Sequence, residues 1–412
     1  MPIAAGALPV AFRLSLALAL LLALAALAAP LRAQVLSPNE IPEALAEPQQ
    51  ADFQARRDGL DKRRAQLGSA VSQNNSRCRG LPDGSPLAVE CRIAQLELNA
   101  SVAGFVEAVT AFNRELAQAG EARRQMASKT LDLQGHRGAR GLAPENTLPA
   151  FAAALSVGVT TLELDVGVTR DGVVVVHHDR KLNPDLARGP DGQWIAPPGP
   201  EIHALAYEEL QRYDVGRLRP GSDYAKPLAA QQPMDGTRIP RLADLFALAR
   251  KAGNSEVRFN IETKLSPEAP QETLPPMAFA RALIEEIRKA GVAARATIQS
   301  FDWRTLAVVQ AEAPEIATVF LTGARFPDAP KRVRAAGGRI WSPYFLEVDQ
   351  DRLKEARELG LRVVVWTVNE PAQIRAMLDL GVDGIISDRP DLVREEMSRR
   401  GMKLPQPTPV MP

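Results

Sequence analysis

Leu162-Glu163-Leu164-Asp165-Val166 alternates apolar and acidic residues with the two-residue period of a β-strand. Glu163 and Asp165 therefore share one face, and the leucines and valine share the other. The pattern returns farther along, where Val257, Phe259 and Ile261 alternate with Arg258, Asn260, Glu262 and Lys264. An apolar face must be covered, and helical stretches lie between the strand-like runs. Strands are predicted near 131–135, 160–166, 256–264, 295–299, 316–321, 338–342, 362–368 and 383–387. Helices are predicted near 147–157, 242–252, 276–290, 303–312, 328–336, 349–359, 371–379 and 391–399. Eight strand–helix units in series predict an α/β fold of the TIM-like (β/α)8 type. A doubly wound sheet is the alternative, but no glycine-rich dinucleotide fingerprint follows the first strand.

In a barrel, the polar face of these strands points inward. Carboxylates gathered there repel one another and lose hydration unless a cation joins them. Glu163, Asp165 and Glu262 form an all-oxygen ligand set, which suits one divalent cation, Ca²⁺ or Mg²⁺. Lys264 is a nearby positive group, either for a substrate or for one of the carboxylates. The first strand ends in Gly135-His136-Arg137-Gly138. An imidazole and a guanidinium between glycines suit an oxyanion. The chain has four histidines, and Val173–Val176 runs directly into two of them, His177-His178-Asp179. Imidazoles titrate near neutrality and are natural proton shuttles. His178 pairs with His136 in this reading; His177 points the other way in an extended backbone, and His203 falls in a segment with no chemical pattern.

From Gln134, the sequence runs Gly-His-Arg-Gly-Ala-Arg-Gly-Leu-Ala-Pro-Glu-Asn-Thr, then a helix, then Glu-Leu-Asp-Val and His178-Asp179. Ile261-Glu262-Thr263-Lys264, Gln299-Ser300-Phe301-Asp302, Trp366-Thr367-Val368-Asn369 and Gly381–Pro390 follow in order. Over about residues 131–398, this chain resembles the glycerophosphodiester phosphodiesterase family. The resemblance implies a metal-dependent hydrolase that releases an alcohol and glycerol 3-phosphate from a small-molecule glycerophosphodiester. It implies acid–base roles for His136 and His178, metal ligation by Glu163, Asp165 and Glu262, and phosphate contacts from Arg137 and Lys264. Glu145 and Trp366 match supporting positions, while Asn146 and Thr147 are expected to cap the next helix. Leu182-Asn183-Pro184 departs from the family's usual continuation after His-Asp, and this bears on substrate identity. Two other readings are a lysophospholipase D or phosphoinositide-type lipid phosphodiesterase, and a non-catalytic periplasmic binding protein on the same barrel.

Outside the barrel, 1–33 reads as a signal peptide. Arg13 precedes an apolar run from Leu14 to Ala29, and Leu31-Arg32-Ala33 offers a cleavage site before Gln34. The run is short for a membrane span, so the expected protein is secreted or periplasmic with no stable membrane anchor. Cleavage removes two arginines and no acid, taking the formal charge from +1 to −1. Such a balance gives no global attraction for nucleic acid. Residues 34–128 predict a helical hairpin turning at Gly80-Leu81-Pro82-Asp83-Gly84. One helix carries Leu60, Leu67 and Val71 on a face, and the other Leu96, Leu98, Val102, Phe105, Val106, Val109 and Phe112. Cys78 and Cys91 are the only cysteines. In an exported chain such a pair reads as a disulfide; a two-cysteine metal site lacks further ligands nearby. The barrel domain is placed at 129–400, with a proline- and glycine-rich insertion at about 180–240 expected to shape the substrate site. A tail follows at 401–412. Oligomeric state leaves no mark in the sequence.

Overall fold

The computed structural model describes residues 38–41, 47–82, 84–128 and 130–412. The expected signal peptide and its cleavage site lie outside the described residues. The chain divides into two compact units at Ala122/Arg123. Among the described residues, no helix is long and apolar enough to cross a membrane.

The first unit is built on α1 (Glu47–Cys78) and α2 (Pro86–Ser128). Cys78 closes α1, and its disulfide to Cys91 ties it to the second turn of α2, with the Cα atoms 5.9 Å apart. By chain-entropy reasoning, a loop of this size contributes about 3 kcal/mol. Val102, Phe105, Val109, Phe112 and Leu116 are buried at the three- and four-residue spacing of one helix face. Phe53 of α1 meets Phe112 edge to face at 5.7 Å. Leu96, expected on this stripe, is instead 66% exposed, together with Val89 and Ile93. It sits one residue past the buried row, which turns it about 100° away.

In the second unit, β1 (Asp132–Gly135), β2 (Thr161–Val168), β4 (Arg258–Thr263), β5 (Ala296–Ser300), β6 (Ala317–Thr322), β7 (Ile340–Pro343), β8 (Arg362–Val365) and β9 (Gly384–Ser387) are parallel. β1 pairs with both β9 and β2, which closes the sheet into an eight-stranded barrel. Closure excludes the doubly wound alternative. The eight expected strands are all present. The additional β3 (Val174–Val176) runs antiparallel to β2 and carries the chain into the insertion. Among the described residues, eight helices of seven residues or more cover the barrel, beginning with α3 (Leu148–Val157). Thr147 caps α3 by accepting from Ala150 N, and Gly158 ends it at φ 84°. Leu162, Leu164, Val166, Phe259 and Ile261 are fully buried between strands and helices, as their alternation requires.

The barrel interior is polar below the mouth. Asn260 donates to Gln134 Oε1 and to Gln299 Oε1, both at 2.9 Å, and accepts from Thr297 Oγ1 at 2.8 Å. These amides satisfy one another where most barrels stack aliphatic side chains. The insertion has its own small core of Val175, Leu182, Ala187, Ile202, Leu210, Val215 and Ile239. The tail lies along the barrel's outside, with Thr408 N donating to Leu155 O at 2.9 Å.

Candidate active site

Parallel pairing of β2 with β4 places Asp165 beside Glu262 and Glu163 beside Asn260. Three carboxylates thus converge at the carboxyl ends of adjacent strands. Glu163, Asp165 and Glu262 are all buried, and one ligand oxygen from each lies within 4.8 Å of the others. Glu163 is held at both oxygens: Gln299 Nε2 donates to Oε1 at 2.6 Å, and the backbone N of Arg137 donates to Oε2 at 2.8 Å. Asn146 does not cap α3. Its amide donates to Asp165 Oδ2 at 2.9 Å, and Thr147 caps alone.

The turn after β1 presents His136 and Arg137 through tight packing. A Cβ on Gly135 would lie 2.0 Å from Gly138 O, and one on Gly138 would lie 2.6 Å from Ala150 C. The glycines serve the chain's own close approach, not only that of a ligand. His136 Nδ1 donates to Asp388 Oδ1 at 2.5 Å, leaving Nε2 3.9 Å from Glu163 Oε2. Asp388 also accepts from Arg140 Nε at 2.6 Å and Asn369 Nδ2 at 2.7 Å. Burial pushes His136 down to about 4, against the pull of Asp388. For Asp388, burial opposes ionisation, but His136 and Arg140 outweigh it and hold the carboxyl below its usual range.

His178 stands opposite. Its Nδ1 donates to Asp179 Oδ1 at 2.7 Å, and Lys264 Nζ donates to its Nε2 at 3.0 Å. Lys264 also reaches Glu262 Oε1 at 2.7 Å and Asp165 Oδ1 at 3.7 Å. Arg137 is buried against Glu145 Oε1 at 2.6 Å and Asp165 Oδ2 at 3.3 Å. Arg137 and Lys264 thus neutralise carboxylates while also lining the cavity. From the insertion, Tyr224 donates to Glu145 Oε2 at 2.6 Å and accepts from Arg137 and Arg140 at 3.1 and 3.3 Å. His177 turns away, with Nδ1 donating to Asp179 O at 2.8 Å. His203 is bonded to Val168 O at 3.1 Å.

His136, Arg137, Arg140, Glu163, His178, Glu262, Lys264 and Gln299 line a cavity of about 240 Å³ whose other wall includes Phe301, Leu321, Trp366 and Ile386. Trp366 meets Phe301 at 5.5 Å and donates to Ser342 O at 3.0 Å. Five buried carboxylates, Glu145, Glu163, Asp165, Glu262 and Asp388, face three cations, Arg137, Arg140 and Lys264. Two negative charges are left over when all are ionised. Burial and the charge of Asp165 push Glu163 well above the usual carboxylate range. Burial likewise raises Glu262, over the opposing pull of Lys264. Asp165 goes the other way: His178, Lys264 and Arg137 overcome its burial and keep it ionised. An all-oxygen set with a deficit of two positive charges fits a divalent metal ion.

A family profile described as glycerophosphoryl diester phosphodiesterase matches residues 136–392, more than half the chain. This chain belongs to that family. Among curated relatives, a glycerophosphodiester phosphodiesterase of Caldanaerobacter subterraneus subsp. tengcongensis is 28% identical over 267 residues, 64% of this chain and 96% of the relative. One of Bacillus subtilis is 30% identical over 269 residues, covering 62% and 83%. A candidate glycerophosphoryl diester phosphodiesterase structure from Silicibacter pomeroyi superposes with a TM-score of 0.64 at 34% identity, over 67% of this chain and 96% of that one. An Oleispira antarctica phosphodiesterase in complex with the product sn-glycerol-3-phosphate shares the fold at a TM-score of 0.52 and 21% identity, covering 67% and 99%.

Asp388, Arg140, Asn369, Gln299, Asn146 and Tyr224 were not among the residues that the sequence reading put in the family's site. Asp388, Asn369 and Gln299 lie in family-like motifs, which was the available signal. Tyr224 has none: it falls in an aperiodic stretch of the insertion.

Proposed function

We propose that this chain hydrolyses glycerophosphodiesters to an alcohol and glycerol 3-phosphate, using one divalent cation, Ca²⁺ or Mg²⁺, held by Glu163, Asp165 and Glu262. The observation that carries the reading is two imidazoles, each with Nδ1 bound to a carboxylate and both lining one cavity with that acidic triad's Glu163 and Glu262. When bound, the cation supplies positive charge to offset that of the phosphate oxygens. The protein's own residues do the rest. His136, kept neutral by burial with its Nδ1–H committed to Asp388, accepts the nucleophile's proton at Nε2. His178 lines both the cavity and the cleft beside it, so it delivers a proton to the departing alkoxide. Lys264 donates to His178 Nε2 in the resting site, so the proton that reaches the alkoxide is one that His178 takes from Lys264, and the lysine regains a proton from solvent after product leaves. Arg137 and Arg140 add donors for the phosphate.

We also propose export to a secreted or periplasmic location. The apolar run 14–29 and the Cys78–Cys91 disulfide support it. The mature N-terminus near Gln34, read by intact mass from the native host, tests this.

The activity test incubates the purified protein with a panel of glycerophosphodiesters and measures glycerol 3-phosphate, with and without chelator. Expected is release that disappears in chelator and returns with Ca²⁺ or Mg²⁺. No release from any diester overturns the activity. Full activity in excess chelator overturns the metal.

A further inference from the structure

A second cleft of about 350 Å³ opens beside the catalytic cavity and shares His178, Glu262, Lys264 and Phe301 with it. Its far side belongs to neither the triad nor the β1 turn. Arg180 and Lys181 come from the start of the insertion, and Glu272 comes from the loop after β4. A phosphodiester has two arms. With phosphorus between the two imidazoles, one arm fills the enclosed cavity and the other leaves along His178.

The hydrogen-bonding balance of this cleft is one-sided. Each carboxylate that reaches it is already taken: Asp179 by His178, Glu262 by Lys264, and Glu272 by both Arg180, at 2.6 Å, and Lys181, at 2.8 Å. The donors are not used up. Arg180 gives only its Nε to Glu272, and among the described residues no hydrogen bond engages its two terminal nitrogens. The guanidinium is thus fixed at one edge and open at the other, about one-third exposed. A fork held this way suits paired oxygen acceptors such as adjacent hydroxyls. It does not suit a quaternary ammonium, which is drawn to aromatic faces. Besides the His178 imidazole, Phe301 is the one ring lining the cleft, beside three cationic side chains.

We propose that this cleft binds the departing alcohol and selects a polyhydroxylated one, such as inositol, over a cationic one, such as choline. The proposal rests on the hydrolase reading above and adds the substrate class. Arg180 is the specificity-determining residue, because its open edge is what the cleft offers to hydroxyls.

The test is the ratio of kcat/KM for glycerophosphoinositol to that for glycerophosphocholine, in the metal-loaded full chain. The wild type is expected to favour the inositol diester by tenfold or more. Arg180→Ala should cut the ratio about tenfold, the scale of one charged hydrogen bond. Arg180→Lys, which keeps the charge and loses the fork, should cut it less. Arg217→Ala removes a surface arginine that pairs with Asp235 in the same insertion and should leave the ratio unchanged. A wild-type ratio near or below one overturns the proposal. So does an unchanged ratio in Arg180→Ala, or an equal loss on both substrates in that variant. Failure of the wild type to cleave either diester, with metal present, counts instead against the hydrolase reading.

Discussion

The two halves of the active site solve one problem in opposite ways. Both present an imidazole whose Nδ1 is tied to a carboxylate. On the β1 side, His136 is 12% exposed and Asp388 3%, and Arg140 and Asn369 complete a closed network. On the insertion side, His178 is 29% exposed and Asp179 36%, and the remaining contacts are Asn183 and Lys264. Under the proposed roles of the two rings, the difference teaches where order is needed. A base must hold one tautomer before the reaction starts, and burial does that. An acid beside a departing alcohol needs access to a path by which product leaves.

The largest effect should come from removing either ring. His136→Ala and His178→Ala are each expected to lose about 10²- to 10⁴-fold in kcat, with His177→Ala near wild type because its ring faces away. A nitrophenyl leaving group needs little protonation, so it should rescue His178→Ala and not His136→Ala. Equal rescue of both would erase the distinction between the two sides.

Next in size is a stability effect specific to the buried side. His136 takes up a proton near pH 6.5 when unfolded and only near 4 in the fold. Between those values the unfolded chain binds more protons, so acid removes stability, up to about 3 kcal/mol by pH 4, and none is lost above pH 6.5. Denaturant titrations of metal-free protein should show the gap between wild type and His136→Gln narrowing as pH falls. A gap that stays constant would mean that His136 is not held neutral by its surroundings.

The carboxylate partners sharpen the same contrast. Asp388→Asn should cost about 10²-fold in kcat, since it disturbs the tautomer of His136 and strips Arg140 of its buried partner. Asp179→Asn should cost about tenfold, because water can replace part of what it gives. The reverse order in steady-state kinetics would contradict the burial argument. Smallest is Tyr224→Phe, expected to lower kcat/KM a few-fold by freeing Glu145 and loosening Arg137, with KM carrying most of the change. A loss confined to kcat would place the hydroxyl in the chemistry instead.

Much of this was legible in the sequence, for a definite reason. A strand's period of two sorts its side chains by face, so Glu163 and Asp165 declared themselves as inward. Parallel register then brought Glu262 to Asp165, as the alternation at 257–264 implied. Asp388 was harder to read because its partner His136 is 252 residues away, and no local period links them. Arg137 showed its charge but not its burial between Glu145 and Asp165. Leu96 was misplaced because a single residue of helical phase separates a buried row from an exposed one. Tyr224 belongs to a segment whose conformation is set by its own small core, and no repeat announces which side chain will reach the site.

The amide layer under the mouth has a consequence for how this enzyme can change. Gln299 is one member of a chain running Gln134–Asn260–Gln299–Glu163, in which each amide meets its neighbour's need. Replacing one link by an aliphatic residue leaves a donor or acceptor on its neighbours unpaired in a buried interior. Single steps through this layer are therefore closed to mutation, whereas Arg180 and the loops around it can vary one residue at a time. Natural drift and laboratory selection alike are channelled toward the alcohol the enzyme accepts and away from the way it holds its triad.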